Sequence, residues 1–372
     1  DGGPDETVAA DYLVAADGAH SAVRERLGIP MTGRGSFADC VTIYFRADVN
    51  PFMGDRNLSV VYVSHPELMG FFRFSYAGDS GFLAVFATLG PGGARNTHVG
   101  EDVSDSRCAE LVRTALGSEP GLPVEIESVQ RWSAMAATAG TFQRGRVFLA
   151  GDAAHVMPPT GGFGGNTGVA DAYNLAWKLA YVIQGTAGPG LLGTYTSERR
   201  PISELTVEQA YTRYALRVDP SLPRDDLRPP LDDPAIELGS VYRSTAVHAG
   251  AGNADPAQEL DDPHARTWTP GARVPHFPLA DGAGSTLDTA APGFALLTGD
   301  GLSHWQQAAD QARKALGVTV TVHQLDPGTI PAPALIRPDG VIAWKPPAGA
   351  PAAEAASQLT PVLAALLSRP VP

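Results

Sequence analysis

One stretch constrains the rest of the chain: Gly145 to Gln184, reading GRVFLAGDAAHVMPPTGGFGGNTGVADAYNLAWKLAYVIQ. It opens on Val147-Phe148-Leu149-Ala150, an apolar run of the length and type of a buried strand. The strand ends on Gly151-Asp152, and a loop rich in Gly and Pro runs from Pro158 to Gly165, offering backbone amides and little side-chain bulk. A helix follows. Its apolar positions Val169, Ala172, Tyr173, Ala176, Leu179, Ala180 and Ile183 recur at helical spacing and predict the buried face, with Gly185 as the stop. A carboxylate at a strand end, a glycine-rich loop and a helix N-terminus together make a cofactor cradle. Several nucleotides fit that description.

A second stretch has the same grammar. Val8 to Ala16 is an apolar run ending on Asp17-Gly18, and AHSAVRERLG then reads as a short helix with Ser21 as its N-cap and Gly28 as its stop. Open α/β sheets bind ligands at the carboxyl ends of their strands, so Asp17 and Asp152 are candidates for one site. Taken alone, Asp17-Gly18 reads as a turn sooner than as a site.

Between these pieces the character changes. CVTIYFRADV, NLSVVYVSH, LMGFFRFSY and GFLAVFATL are strand-like runs rich in Val, Phe and Tyr, the last two joined by a turn at Ala77–Gly81. They predict an antiparallel sheet inserted into the α/β unit. Alternation puts Tyr44 with Arg46, and Phe72 and Phe74 with Tyr76, on shared faces; Tyr44, Arg46, Phe74 and Tyr76 are the candidate ligand pocket. A helix is expected over 103–116 and a strand over 124–132.

After the central stretch, 191–216 reads as a long helix that Pro201 should kink or break. Residues 219–233 and 253–275, dense in Pro and Asp, read as linkers. From Gly293 onward the order strand, helix, strand, hairpin at Pro338-Asp339-Gly340 and final helix predicts a thioredoxin-like unit. The chain's two cysteines, Cys40 and Cys108, lie outside it, so thiol redox chemistry is excluded there.

Composition narrows the partners. The 372 residues carry a formal net charge of -13 and only three lysines, Lys178, Lys314 and Lys345, which disfavours nucleic acid or an anionic membrane as partner. No apolar run is long enough to span a bilayer, and a cytoplasmic protein, monomer or homodimer, is expected. His and carboxylates do not cluster, so no metal site is expected.

These motifs resemble the FAD-dependent aromatic hydroxylases of the p-hydroxybenzoate hydroxylase fold, in particular those acting on aromatic polyketides. The resemblance rests on the Gly145–Gln184 stretch, YLVAADGAHSAVRERLGI, LLGTYTSERRPI and the C-terminal PGARVPHFPL, GFALLTG and ALIRPDGVIAW, together most of the chain. It implies an α/β FAD-binding domain, an inserted antiparallel-sheet substrate domain and a C-terminal thioredoxin-like domain. The expected bounds are 1–39 and 134–218 for the FAD-binding domain, 40–133 for the substrate sheet, 219–265 for a linker or helical region and 266–372 for the last domain.

The resemblance also implies roles. Asp152, beside Gly151, accepts from the ribityl hydroxyls of FAD. Gly165 and Asn166 present backbone N–H groups to the flavin edge, and Pro159 and Gly162 let the loop run against the ring. Asp17 and Gly18 lie near the pyrophosphate and a transient NADPH or NADH, with Arg24 either assisting or solvated. His155 packs and hydrogen-bonds at the loop and is not a catalytic base; no catalytic side chain is assigned. The implied reaction is hydroxylation of a polycyclic aromatic or phenol by O2 through a flavin C4a-hydroperoxide. Baeyer–Villiger or epoxidation chemistry, or a binder of a reactive intermediate that oxidises nothing, are the alternatives. The family's opening Gly-x-Gly-x-x-Gly segment does not precede Asp1, so the chain reads as a fragment expected to hold FAD weakly by itself.

Overall fold

A computed structural model of the chain describes residues 7–53, 60–89, 95–97, 99, 103–248, 258–282, 284–290, 293–326, 328–347 and 349–370. In chain order, β1 (Leu13–Ala15) and α1 (Ala22–Arg26) precede β2 (Met31–Arg46), the short α2 (Asn50–Met53), β3 (Val61–His65), β4 (Leu68–Phe74), β5 (Ser80–Leu89) and β6 (Arg95–Asn96). Next come α3 (Asp105–Leu116), β7 (Glu125–Ala139), β8 (Gln143–Arg144), β9 (Val147–Leu149), β10 (His155–Val156), α4 (Phe163–Ile183), α5 (Gly190–Arg217) and α6 (Asp233–Leu238). The last section holds β11 (Phe294–Thr298), α7 (Leu302–Leu316), β12 (Val320–Gln324), β13 (Ala334–Ile336), β14 (Ile342–Trp344), α8 (Ala352–Ser357) and α9 (Leu359–Leu366).

Three sheets result among the described residues. The smallest, β1-β9-β8, brings the two acidic turns together: β1 and β9 are parallel neighbours, Ala15 opposite Leu149, so Asp17 and Gly151-Asp152 leave the same edge. β1 is shorter than the apolar run 8–16 suggests. The second sheet has the order β10-β7-β2-β5-β4-β3, with β6 on β5. Its spine is the long antiparallel pair β2–β7, extending well beyond the runs at 40–49 and 124–132, with bulges at Gly33–Gly35. The third sheet, β12-β11-β13-β14, is parallel only between β11 and β12. Its core of Trp305, Trp344, Leu359 and Leu363 runs on into Trp177 of α4 and Leu191 of α5. The C-terminal unit is therefore packed onto the two long helices. The expected strand residues 57–59 and residues 253–257 of the second linker lie outside the described residues.

α3 illustrates how sequence sets an element. The Ser104 hydroxyl accepts from the Arg107 amide at 3.3 Å, and Gly117 closes the helix in the left-handed region. Cys108, Leu111 and Val112 pack on Ile43, Phe45 and Phe72 of the second sheet. Ser104→Ala is expected to cost about 1 kcal/mol locally, read as faster hydrogen exchange of α3 amides.

Two expectations are corrected here. Pro201 does not break α5, which continues to Arg217: Glu198 and Arg199 before it and Ile202 and Ser203 after it are all buried, so packing holds both halves. The buried face of α4 is also only partly apolar: Phe163, Leu175 and Trp177 are buried beside a row of polar residues. Val169, Tyr173 and Ile183 are exposed, at 69%, 53% and 61%, while Thr167, Asp171, Asn174 and Lys178 are buried. A helix that buries a polar stripe must find partners for it.

Candidate active site

The cradle begins at the end of β9, where Gly151–Ala153 makes a single 3₁₀ turn. The Asp152 side chain is exposed and, among the described residues, accepts no hydrogen bond. Asp17 differs. Its Oδ2 accepts from the Val23 amide at 3.1 Å, and the Ser21 hydroxyl and that amide hold the carboxyl below its usual range. Asp17 therefore braces α1 as well as marking a strand end. Arg24 is buried, not solvated: it donates to the carbonyls of Ala153 (3.2 Å) and Ala19 (3.0 Å), tying the two acidic turns to each other.

The loop then turns into α4. Gly162, at φ +75°, is the N-cap, in the left-handed region that favours glycine. The helix thus starts at Phe163, two residues before the expected Gly165. No side chain caps it, so the amides of its first turn, Phe163 to Gly165, have no side-chain acceptor. Gly165 is exposed and a Cβ there would meet nothing within 4 Å, which leaves the first turn open on its outer side. Asn166 is exposed too, and its side-chain Nδ2 donates to Glu237 of α6 at 2.7 Å. Pro159 is half-buried and its carbonyl accepts from the Gly162 amide.

Behind the cradle lies the polar stripe, satisfied in two groups. In the first, Asp171 Oδ2 accepts from the Gly151 amide (3.0 Å) and lies 2.6 Å from His155 Nε2, while Oδ1 accepts from Arg199 Nε (2.8 Å). Arg199 also donates to the Thr167 carbonyl and to the Tyr242 hydroxyl. Burial alone would raise the Asp171 carboxyl, but His155 and Arg199 hold it below its usual range. In the second group, Glu198 accepts from Lys178 (2.7 Å), from Asn174 (2.7 Å) and from both terminal nitrogens of Arg337 (2.6 and 2.9 Å). Arg337 also pairs with Asp339 of the same hairpin. The carboxylates Asp171, Glu198 and Asp339 balance the cations Arg199, Lys178 and Arg337.

The pocket candidates on the second sheet divide. Tyr44 stands beside Phe82, ring centroids 5.5 Å apart, and Phe82 lies 5.9 Å from Phe71. With Trp132 these rings are half-buried on one face, which α5 meets through Tyr214. Phe74 is on the opposite face, stacked at 4.9 Å on Phe72 over α3. Arg46 is exposed and paired with Glu127 at 2.6 Å, and Tyr76 is 96% exposed at the hairpin turn. Register explains the split: Tyr44 pairs with Phe82 and Phe82 with Arg73, so Phe72 and Phe74 fall on the other side. Only Tyr44 of the four faces the aromatic row. The alternation Phe82-Ala84-Phe86 was the sequence signal for it.

The chain matches the FAD binding domain family over residues 1–210 and the family described as aromatic-ring hydroxylase, C-terminal, over residues 267–370. The chain belongs to the FAD-dependent aromatic-ring hydroxylases. The family is one of flavoprotein monooxygenases. The sequence is 42% identical over 99% of its length to a 4-methyl-5-nitrocatechol 5-monooxygenase from Burkholderia sp., of which it covers 70%. It is 38% identical over 92% of its length to a tetracenomycin A2 monooxygenase-dioxygenase from Streptomyces glaucescens, of which it covers 64%. Among solved structures it superposes on an aklavinone-11 hydroxylase in complex with FAD and aklavinone with a TM-score of 0.86, at 37% identity, covering 96% of this chain and 68% of that one. The hydroxylase chain thus spans roughly two thirds of the length of these relatives.

FAD is the cofactor of this family, and the residues present fit it. An uncapped helix N-terminus open to solvent suits an electron-rich ring edge, and a carboxylate with no protein donor suits a polyol. Among the described residues no group of three or more His, Cys, Asp or Glu could hold a metal, and no helix is long and apolar enough to cross a membrane.

Proposed function

We propose that this hydroxylase is a cytoplasmic enzyme that adds one oxygen atom from O2 to a polycyclic aromatic or phenolic substrate, with NADPH or NADH as electron donor. The observation that carries this reading is the row Tyr44, Phe71, Phe82 and Trp132, half-buried on the face of the second sheet that α5 meets. Met157 of the cofactor loop packs on the neighbouring part of α5, with Tyr211 and Ala136. Flat apolar rings stack on such a surface, and offset or edge-on contacts are worth about 0.5–1.5 kcal/mol each beyond area burial. The relatives named for nitrocatechol, tetracenomycin and aklavinone act on aromatic molecules.

In this reading Asp152 holds the ribityl chain, the first-turn amides of α4 at Gly165 and Asn166 face the electron-rich edge of the flavin, and Pro159 and Gly162 line its face. Asp17 and Gly18 border the pyrophosphate. When bound, FAD supplies the electron transfer and oxygen activation. The chain's own work is to position the aromatic ring and keep water away from it. The domain bounds proposed are 1–39 with 134–218, then 40–133, 219–265 and 266–372. The last domain's order of β11, α7, β12, β13, β14 and paired helices supports a thioredoxin-like layout without redox cysteines.

The test is NAD(P)H oxidation by the protein in its full natural length. An aromatic polyketide or catechol should stimulate it several-fold. Unstimulated oxidation would instead favour a binder of a reactive intermediate, and a lactone or epoxide product would favour the related oxygen insertions.

A further inference from the structure

The two elements assigned to grip FAD, the Gly151–Ala153 turn and the first turn of α4, are separate in the chain and must be held in register. We propose that Asp171, buried behind the cradle, is the positioning residue that holds them, and that Arg199 and the small Gly168 complete the device. This inference rests on the placement of FAD against Asp152 and the start of α4.

Asp171 projects from α4 into the protein and accepts from the Gly151 amide at 3.0 Å, one residue before Asp152. The same oxygen faces His155 Nε2 at 2.6 Å, at the start of β10, where the chain leaves the turn. One carboxylate therefore holds both ends of the segment that carries Asp152. Its other oxygen is fixed by Arg199 Nε, and Arg199 Nη2 donates to the Thr167 carbonyl, near the start of α4. Arg199 is locked in turn by the Tyr242 hydroxyl at 3.0 Å. Every distance belongs to a fully buried set of side chains, where a charge-assisted hydrogen bond is at its strongest.

Gly168 supplies the steric half. It lies on α4 between Thr167 and Asp171, and a Cβ built on it would sit 3.3 Å from the Gly151 Cα. That contact is tighter than ordinary packing. A side chain at position 168 would push the turn away by a few tenths of an ångström.

The second buried group, around Glu198, does the other job. It ties the same two helices to Arg337 and Asp339 of the C-terminal hairpin and touches neither Gly151 nor His155. The two groups can therefore be separated by experiment.

FAD is titrated by flavin fluorescence into the apo-protein in its full natural length, unsubstituted and as Asp152→Ala, Asp171→Asn, Gly168→Ala and Glu198→Gln, with unfolding midpoints measured alongside. Asp171→Asn should weaken FAD about 10- to 100-fold, the size of effect carried by groups that orient ligand-holding residues from behind. Gly168→Ala should weaken FAD while leaving the unfolding midpoint unchanged or raised, since alanine is the better helix former. Stability and affinity moving in opposite directions is the signature a merely structural role lacks. Glu198→Gln should lower the midpoint and leave FAD affinity per folded molecule within about twofold of the natural chain, since none of the hydrogen bonds of Glu198 reaches the turn. If Asp171→Asn does not fold, Gly168→Ala decides alone. Unchanged FAD affinity in Gly168→Ala, or in a folded Asp171→Asn, overturns the proposal, as does an affinity loss that merely tracks stability across all variants. Unchanged affinity in Asp152→Ala overturns the placement of FAD itself. Loss in Asp152→Ala without loss in the other two leaves that placement standing and removes Asp171 and Gly168 from it.

Discussion

Glu198→Ala is expected to lower the unfolding free energy by about 3–5 kcal/mol, because it leaves the buried Lys178 without its carboxylate and Arg337 with Asp339 alone. Lys178 and Arg337 are both essentially without solvent exposure, and Glu198 is the carboxylate they share. Two ions taken from water recover their desolvation cost only through close pairing, so removing one partner costs more than the pair is worth as a whole. Chemical unfolding measures the loss. A double replacement of Glu198 and Arg337 by apolar residues of similar volume should recover part of it.

The same group sets a pH response. Arg337 and Lys178 hold the Glu198 carboxyl far below its ordinary 4.5, although burial alone would raise it, and Asp171 is depressed from 3.8 by His155 and Arg199. A depressed carboxylate contributes stability that is fully present above its unfolded value and is lost as pH falls toward its folded one. The protein should therefore hold its stability down to about pH 4.5 and lose it progressively below. Lys178 acts at the other end. Burial lowers it from 10.5 to about 8, so the unfolded chain holds that proton more tightly, and between about pH 8 and 10.5 its contribution rises with pH. In Glu198→Gln the acid limb should flatten. An unchanged acid limb would show that Glu198 is not the group that titrates.

Asp152→Ala should reduce FAD affinity roughly 10- to 150-fold, equivalent to about 1.5–3 kcal/mol for a hydrogen bond to a charged group. Because the Asp152 side chain is exposed and accepts no hydrogen bond among the described residues, its removal should leave far-UV circular dichroism and the unfolding midpoint unchanged. Visible absorbance of bound flavin per protein gives the occupancy. Asp17→Ala offers the contrast: its carboxylate holds the Val23 amide, so that variant should loosen α1 as well.

The strand, turn and helix of the cradle were legible in sequence because each is a local pattern: an apolar run, a glycine-rich loop, a long periodic segment. The adjacency of Asp17 and Asp152 was legible as well, since two similar strand ends in an α/β unit face the same edge. The buried face of α4 was not. Its apolar residues have a clear period, yet Val169, Tyr173 and Ile183 point outward and the helix buries Thr167, Asp171, Asn174 and Lys178. Hydrophobic patterning assumes that polar means exposed. That assumption fails where distant segments supply partners, here Arg199 and Glu198 of α5 and Arg337 from 139 residues beyond Glu198. The spacing of the polar residues themselves, one per helical turn on one side, was the available signal.

The aromatic face failed for a related reason. Alternation within one strand is local, but which strands share a face depends on register across the sheet. Tyr44 met Phe82 and Phe71, while Phe74 went to the α3 side and Arg46 found Glu127.

The most direct test of aromatic-ring hydroxylation is isotopic. The protein in its full natural length is supplied with NADPH or NADH, an aromatic polyketide or catechol and labelled O2, and the product is read by mass spectrometry. One labelled oxygen on an aromatic ring carbon is the predicted result. Cofactor oxidation that yields only hydrogen peroxide, with every candidate ring returned unlabelled, would contradict it.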